Sequence, residues 1–181
     1  LTTSGLLTRT IGGEGIRPPQ PAYVTSISRN ADWPVSRGGD AYRRGMYIVF
    51  RRATPYPMLL TFDAPDSTFA CARRERTNSP LQALTLLNDP VFFTAAQAMG
   101  SELAAASSAT DEQSVTAACW RCLGRAPRVP ELARLLTLLR EQRLHFQHDE
   151  AAADLASGTQ RASGTTSTEQ AAWVVLARVL M

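Results

Sequence analysis

Apolar residues recur at helical intervals through the second half of the chain, from residue 79 onwards. Leu81, Leu84 and Leu87, for example, lie three residues apart and line one side of a predicted helix. The same periodicity continues almost to the last residue, so this half of the chain predicts a helical bundle. The predicted helices begin near Pro80, Pro90, Thr110, Pro130 and Thr166.

Two proline-containing corners mark where the first of these helices start. Asn78 or Ser79 can cap a helix that has Pro80 at its first position, where a missing N–H costs nothing. Asp89 and Pro90 repeat this signature ten residues later. The repeat predicts that one helical path is broken into two consecutive helices at this corner.

The later helices also carry recognisable end signals. Thr110 precedes a first turn rich in acidic residues, and Gly124 follows the same segment as a predicted C-cap. Thr166 and Glu169 have the spacing of a capping box, which predicts the start of the last helix.

The first half of the chain has a different pattern. Residues 1–40 are rich in Gly, Pro, Ser and Arg, which predicts an irregular arm or the remnant of a preceding part of the domain. Residues 45–52 and 57–65 contain β-branched and aromatic residues and are candidate strands of a small hairpin. We therefore expect a mainly α fold, with residues 41–181 as a single helical domain, an irregular N-terminal arm and, as an option, this hairpin.

The charged residues are unevenly distributed along the chain. All nineteen Lys or Arg residues are arginine, and residues 1–80 carry eleven of them against six acids, whereas residues 81–181 carry eight against ten. Arginine forms planar, bidentate pairs with carboxylates, phosphates and sulfates. The basic half is therefore where an anionic partner is expected. A net charge of +3 is too small to predict nucleic-acid binding, and no apolar run is long enough to span a membrane.

Three segments together resemble a known family: "GGEGIRPPQP", the block from Tyr42 to Phe93 and "CLGRAPRVPEL". The family is a planctomycete C-terminal domain of unknown function (family 1553) found in large, cytochrome-associated proteins. The likeness runs from about Gly12 to the last residue and covers the C-terminal portion of that domain. The Tyr42-to-Phe93 block is the most specific, because its order of charged, aromatic and proline positions is unlikely to recur by chance.

The resemblance implies a context more than a reaction. It implies an exported, extracytoplasmic module of a redox- or carbohydrate-associated assembly, with other domains of the same parent polypeptide as partners. Haem, if present, would belong to a separate domain of the parent protein, and we expect no cofactor in this chain. No established catalytic residue is carried over, so the expected role is an accessory or interaction module. The chain begins without Met and ends on an apolar helical pattern, which favours a piece of a longer protein.

The cysteines and histidines are weak candidates for a haem or metal site. Cys119 and Cys122 form a CxxC motif, but Leu123 stands where haem attachment requires histidine. We interpret both as buried core thiols. His145 and His148 have helical spacing, but such a pair usually lies on a solvated helix face, and we predict no metal site.

Carboxylates near the family-like block are the candidates for acid–base catalysis. Asp63, Asp66 and Asp89 would need to converge in a cleft to act together, and their spacing does not show that they do. No G-x-S-x-G elbow supports Thr77 or Ser79 as a nucleophile. We therefore predict no catalytic residue, and a carboxylate-dependent hydrolase remains an alternative.

An arginine cluster is the main candidate site. Its guanidinium groups could bind a sulfated polysaccharide or another anion near the helix that begins at Pro80. They could equally pair with nearby acids, including Asp63, Asp66 and Asp89, and with loop carbonyls, and so hold irregular segments in place. We favour this second role, with anion binding as the alternative. The cluster consists of Arg43, Arg44, Arg51, Arg52, Arg73, Arg74 and Arg76.

Overall fold

The computed structural model describes residues 1–20, 24, 32–52, 54–65, 70–106, 110–159 and 161–181. These residues are mainly helical and form no β-sheet, which confirms the predicted mainly α class. They divide into two compact units, Leu1–Gly5 with Leu87–Met181, and Leu6–Leu86. We call these the helical unit and the arginine-rich unit; the boundary predicted after residue 40 stays a prediction.

Seven α-helices and two 3₁₀ helices lie within the described residues. The 3₁₀ helices are Gly38–Tyr42 and Gly45–Tyr47. The α-helices are α1 Pro57–Thr61, α2 Pro80–Asn88, α3 Pro90–Ala105, α4 Asp111–Leu123, α5 Val129–His148, α6 Glu150–Ser157 and α7 Ser167–Leu180. None of the described helices is long and apolar enough to cross a membrane.

The last helix is the centre of the helical unit. Helix α7 lies against α3, α5 and α6 and buries seven of its residues, among them Trp173, Val174 and Leu176. Leu139 of α5 and Met99 of α3 are also fully buried in the two core clusters around α7. Burial of these apolar side chains is the main stabilising contribution in this unit.

The helix ends follow the predicted signals with one exception. The break at Asp89 is confirmed, because its side chain accepts from Val91 N and caps α3. Thr110 forms a capping box at the start of α4, and Gly124 ends that helix with φ of 68°. The capping box predicted for α7 is only half formed: Thr166 accepts from Glu169 N, but the Glu169 carboxylate accepts hydrogen bonds from other side chains.

Those bonds belong to an ion-pair network that joins three helices. Arg143 of α5 donates to both oxygens of Asp111 on α4, at 2.5 and 2.9 Å, and to both oxygens of Glu169 on α7, at 2.7 and 2.6 Å. The Trp173 indole N–H also donates to Glu169, at 2.8 Å. One guanidinium thus holds two carboxylates in fixed, bidentate geometry, which is the strongest arrangement for such pairs.

A close approach between α3 and α7 predicts a large effect of one added methyl group. A Cβ on Gly100 would lie 2.7 Å from the backbone nitrogen and 2.8 Å from the Cα of Val174. Backbone atoms in α7 cannot move aside as a flexible side chain does. Gly100→Ala should therefore destabilise the protein by about 1–2 kcal/mol in urea unfolding, even though alanine favours the helix. Gly124→Ala is the control: an added methyl group there meets open space, so any loss of stability comes from the left-handed φ and not from packing. If Gly100→Ala is as stable as the wild type, the close approach of α3 and α7 does not limit the size of residue 100.

The arginine-rich unit is held together without a sheet. Its first segment runs parallel to residues 42–49 through two isolated bridges, Thr8 with Arg43 and Ile16 with Ile48. Ile16 N donates to Tyr47 O at 2.8 Å, and Val49 N donates to Ile16 O at 2.9 Å. The predicted strand at 45–52 therefore pairs locally with an earlier segment.

The optional hairpin is not formed by the described residues. Its first strand begins instead as the 3₁₀ helix Gly45–Tyr47. Its second strand is replaced by α1, which has Pro57 in its first turn. Proline lacks the N–H that a hairpin ladder would need, whereas the first turn of a helix does not use it.

Two aromatic residues form a small core in this unit. Trp33 and Tyr56 are buried and stack with their ring centroids 6.4 Å apart. The Trp33 indole N–H donates to Pro18 O at 2.8 Å, and the Tyr56 hydroxyl donates to Pro19 O at 3.0 Å. Buried aromatic rings with satisfied polar ends compensate for the missing sheet.

Arg43 satisfies the carbonyls of a loop. Only 5% of this residue is exposed, and its guanidinium lies 3.9 Å from the centroid of the Tyr47 ring. The same group donates to Glu14 O at 3.1 Å, to Thr10 O at 3.3 Å and to Gly12 O. A single side chain therefore serves as hydrogen-bond partner for three loop carbonyls, a task that secondary structure performs elsewhere.

Candidate functional site

A cleft of about 1000 Å³ lies in the arginine-rich unit, beside the start of α2. Its volume is at the upper end of the range for small-molecule sites. Three of the seven arginines of the predicted cluster line it, together with two carboxylates and polar side chains. The lining residues are Phe62, Asp63, Arg73, Arg74, Glu75, Arg76, Thr77 and Gln82.

Asp63 fixes one wall of the cleft. Its φ of 57° lies in the left-handed region, which aspartate tolerates better than most residues. Its carboxylate accepts from Thr77 N at 2.8 Å and from the Thr77 hydroxyl at 2.9 Å. These hydrogen bonds lower the pKa of Asp63 below its ordinary value; the bond from the Thr77 backbone N–H has the largest effect, and that from the Thr77 hydroxyl comes second. Asp63 is therefore a weak base that holds the backbone.

Gln82 completes this wall, and the sequence-based prediction missed it. It is the buried residue of α2, and its amide donates to Thr61 O and to the Thr77 hydroxyl, each at 2.9 Å. Its carbonyl accepts from Ser79 N at 3.0 Å, while Ser79 Oγ accepts from Gln82 N. The Ser-x-x-Gln spacing of a capping box was the available signal.

The three arginines of the cleft differ in what they bind. Arg74 donates to Phe62 O at 2.7 Å and to Asp63 O at 3.0 Å, so it holds the segment 73–77 against the end of α1. Arg73 and Arg76 are exposed, and within the described part of the chain their guanidinium groups have no hydrogen-bond or ion-pair partner. Two exposed cationic side chains therefore line the cleft.

The other predicted site residues lie outside this lining. Arg43 and Arg51 are bonded to loop carbonyls, Arg51 to Asp32 O at 2.5 Å. Arg44 is exposed beside the Tyr47 ring and Arg52 is exposed. Asp89 and Ser79 act as helix caps, and Asn78 is exposed next to Ser79. Asp66 falls outside the described residues. None of these placements tests what the residues bind, so their roles stay predictions.

The cysteines and histidines do not form a zinc site in the part of the chain that is described. No group of three or more His, Cys, Asp and Glu side chains there could hold a metal ion. Cys119 is buried, Cys122 is half-buried and Cys71 is exposed, all as free thiols. His148 is the last residue of α5, and His145 lies one turn before it.

Comparison with known proteins gives one match. A model of the family described as Protein of unknown function (DUF1553) matches residues 1–139 of the 181. The chain belongs to this family. Comparisons with curated proteins and with solved structures found no match. The DUF1553 match includes every residue that lines the cleft, so the site belongs to the family-like part of the chain.

The hydrogen bonds between Asp63 and Thr77 predict how this wall of the cleft changes when the negative charge of Asp63 is removed. Asp63→Asn keeps a residue that tolerates the left-handed φ but weakens the charge-assisted bonds to Thr77. The Thr77 amide should then exchange with deuterium roughly three- to tenfold faster. Asp40→Asn removes an exposed charge elsewhere in the same unit and is the matched control. Equal Thr77 exchange in the two variants would show that the Asp63 charge does not hold the wall.

Proposed function

We propose that this chain is a non-catalytic interaction module of an exported, cytochrome-associated planctomycete protein, and that it binds an anionic partner in the cleft. The observation that carries the proposal is the pair of exposed guanidinium groups, Arg73 and Arg76, that line the cleft and have no hydrogen-bond or ion-pair partner among the described residues. A surface arginine that holds the fold is bonded to the protein, as Arg74 is. Arg73 and Arg76, which are not bonded to any residue that the structure describes, can bind a ligand.

Sulfate esters on a polysaccharide are the anion that fits this cleft best. A guanidinium group matches the geometry of a sulfate or carboxylate with two parallel N–H···O bonds. Glu75 lines the same cleft and can accept hydrogen bonds from sugar hydroxyls. The arrangement therefore favours a sulfated polysaccharide over a simple anion, because both charged and hydroxyl groups of the ligand find partners.

A carboxylate-dependent hydrolase is the second candidate, because Asp63 and Glu75 line one cleft. General acid catalysis at neutral pH needs a carboxyl group with a raised pKa. The pKa of Asp63 is lowered, and its oxygens accept hydrogen bonds from Thr77 and Gln82. The binding role is the better supported of the two.

The wider context of the proposal comes from the family resemblance. Export, association with other domains of the parent polypeptide and haem in a separate domain all rest on that likeness. An extracytoplasmic location would bring the cleft into contact with polysaccharides outside the cell. Detection of the parent protein in the periplasmic or secreted fraction is the measurement for this part, and a purely cytoplasmic distribution would reject it.

Thermal melting with dextran sulfate tests the cleft. At a ligand concentration about 100-fold above Kd, binding adds about 2.7 kcal/mol of stability, or roughly 5–10 °C in Tm for a chain of this size. The wild type should show this rise with dextran sulfate but not with uncharged dextran. Arg73→Gln/Arg76→Gln should melt normally alone and lose the rise.

Two further variants separate ligand binding from general charge and from the fold. Arg37→Gln/Arg134→Gln removes the same charge from exposed positions outside the cleft and should keep the full rise. Arg74→Gln should melt at a lower temperature without any ligand, because it breaks two backbone contacts. If both double variants lose the rise equally, the binding is nonspecific and the proposal fails.

A further inference from the structure

All four sulfur-containing side chains of the helical unit meet in its core. Met99, Cys122 and Met181 belong to one cluster, and Cys119 belongs to a second cluster. The two clusters share the same flanking leucines, 103 and 180. Residues from α3, α4 and the C-terminus therefore bring soft donor atoms to one region, although they are up to 82 positions apart in sequence.

Two of these sulfurs already have the geometry of a metal-binding pair. The Cys122 thiol donates to Met99 Sδ, with 3.7 Å between the sulfurs. An ion placed at the usual metal–sulfur distance of about 2.3 Å from each sulfur would have an S–metal–S angle of about 107°, which is close to tetrahedral. An ion could therefore take the place of the thiol proton without any movement of the two sulfurs.

Cys119 can supply a third sulfur. It lies one turn before Cys122, and residues three apart share a face of an α-helix. The core clusters that contain the two thiols both pack against Leu103 and Leu180, which places Cys119 and Cys122 in the same part of the core.

The donor set selects the kind of ion. Thioether and thiolate are soft ligands that favour Cu(I), whereas Zn²⁺ is bound by imidazole, thiolate and carboxylate. The described residues contain no cluster of His, Cys, Asp and Glu to serve such a Zn²⁺ site. We propose that Met99, Cys122 and Cys119 form a binding site for a single Cu(I) ion in the core of the helical unit.

Binding would release a proton and involve no oxidation or reduction. Cu(I) takes the sulfur lone pair of Cys122, the S–H bond breaks, and the proton leaves to the buffer. Cys122 is partly exposed, which gives the ion a route to the otherwise buried sulfurs. Because protons compete with the metal for the thiolate, affinity should increase as the pH rises.

A competition titration tests the site. Reduced protein is titrated without oxygen against Cu(I) held by bicinchoninate, and the wild type should withdraw one equivalent of copper. Cys122→Ser should lose this binding, and Met99→Leu, which conserves volume, should weaken it at least tenfold. Cys71→Ser is the matched control, because Cys71 is an exposed thiol in the other unit, and it should bind as the wild type does.

The remaining outcomes overturn the proposal. A wild type that withdraws no copper, or a Cys122→Ser variant that binds like the wild type, excludes the site. Loss of binding in Cys71→Ser would assign the copper to the exposed thiol instead. Melting curves of each variant without copper show whether it is folded, and Cu(I) should raise Tm in the wild type and in Cys71→Ser only.

Discussion

Replacing Arg43 with alanine should lower the free energy of unfolding of the arginine-rich unit by about 3 kcal/mol. The guanidinium donates to three loop carbonyls and packs on the Tyr47 ring, and only 5% of the residue is exposed to solvent. Hydrogen bonds from a charged group contribute about 1.5–3 kcal/mol each, but water can replace part of this loss once the loop opens.

Hydrogen exchange at individual backbone amides measures this loss of stability beside Arg43 itself. The Ile16 and Val49 amides donate across the pairing that Arg43 supports, so both should exchange about a hundredfold faster in Arg43→Ala. Arg44→Ala is the matched control, because it removes the same charge from the next, exposed position. Equal exchange in the two variants would mean that Arg43 does not hold the loop.

Replacing Arg143 with methionine should destabilise the helical unit by about 2 kcal/mol, a value between those of exposed and of fully buried ion pairs. The change removes four hydrogen bonds between helices and leaves Asp111 and Glu169 close together with uncompensated charge. Methionine keeps most of the apolar volume beside Trp173, so the loss reports on charge and hydrogen bonding. Urea unfolding followed by tryptophan fluorescence gives the value.

A second ion pair of similar length provides the control. Arg125 and Glu131 are 2.7 Å apart, but Arg125 is 47% exposed and pairs with one carboxylate, whereas Arg143 is 24% exposed and pairs with two, which are themselves 42% and 32% exposed. Exposed pairs contribute little because water already solvates both charges. Arg125→Met should therefore leave stability almost unchanged, and a loss as large as that of Arg143→Met would contradict the network's importance.

The Arg143 network also predicts a dependence on pH. Its hydrogen bond lowers the pKa of Asp111 below the ordinary value of 3.8. A carboxyl whose pKa is lower in the folded state stabilises the fold above its unfolded pKa, and this stabilisation is lost as the pH falls through the folded value. The stability difference between wild type and Arg143→Met should thus shrink below about pH 4. A constant difference down to pH 2 would exclude this contribution.

Helices and their ends were predictable from sequence because their signals are local. Pro80, Asp89, Thr110 and Gly124 each act within one helical turn, and the structure uses all four as predicted. The leucine side of α2 was also predicted, but Leu81 and Leu84 are exposed while Gln82 is buried. The spacing of apolar residues identifies one face of a helix, but it does not show whether that face packs against the rest of the protein.

The remaining features depend on contacts between distant residues. The Arg143 network joins Asp111 with Glu169 across 58 positions, and no spacing rule connects them. The optional hairpin does not form, because the backbone of residues 47–49 hydrogen-bonds with Ile16 instead of with residues 57–65. Likewise, the local sequence around the seven arginines of the cluster does not distinguish Arg43, which is buried, from Arg73 and Arg76, which are exposed.

The division of the arginines into those that hold the fold and those that face a ligand is the central claim. Hydrogen exchange with and without dextran sulfate tests it most directly. We predict that the polyanion slows exchange in residues 70–82 of the wild type and leaves Arg73→Gln/Arg76→Gln unaffected. No protection, or protection confined to the segments around Arg43 and Arg51, would contradict the claim.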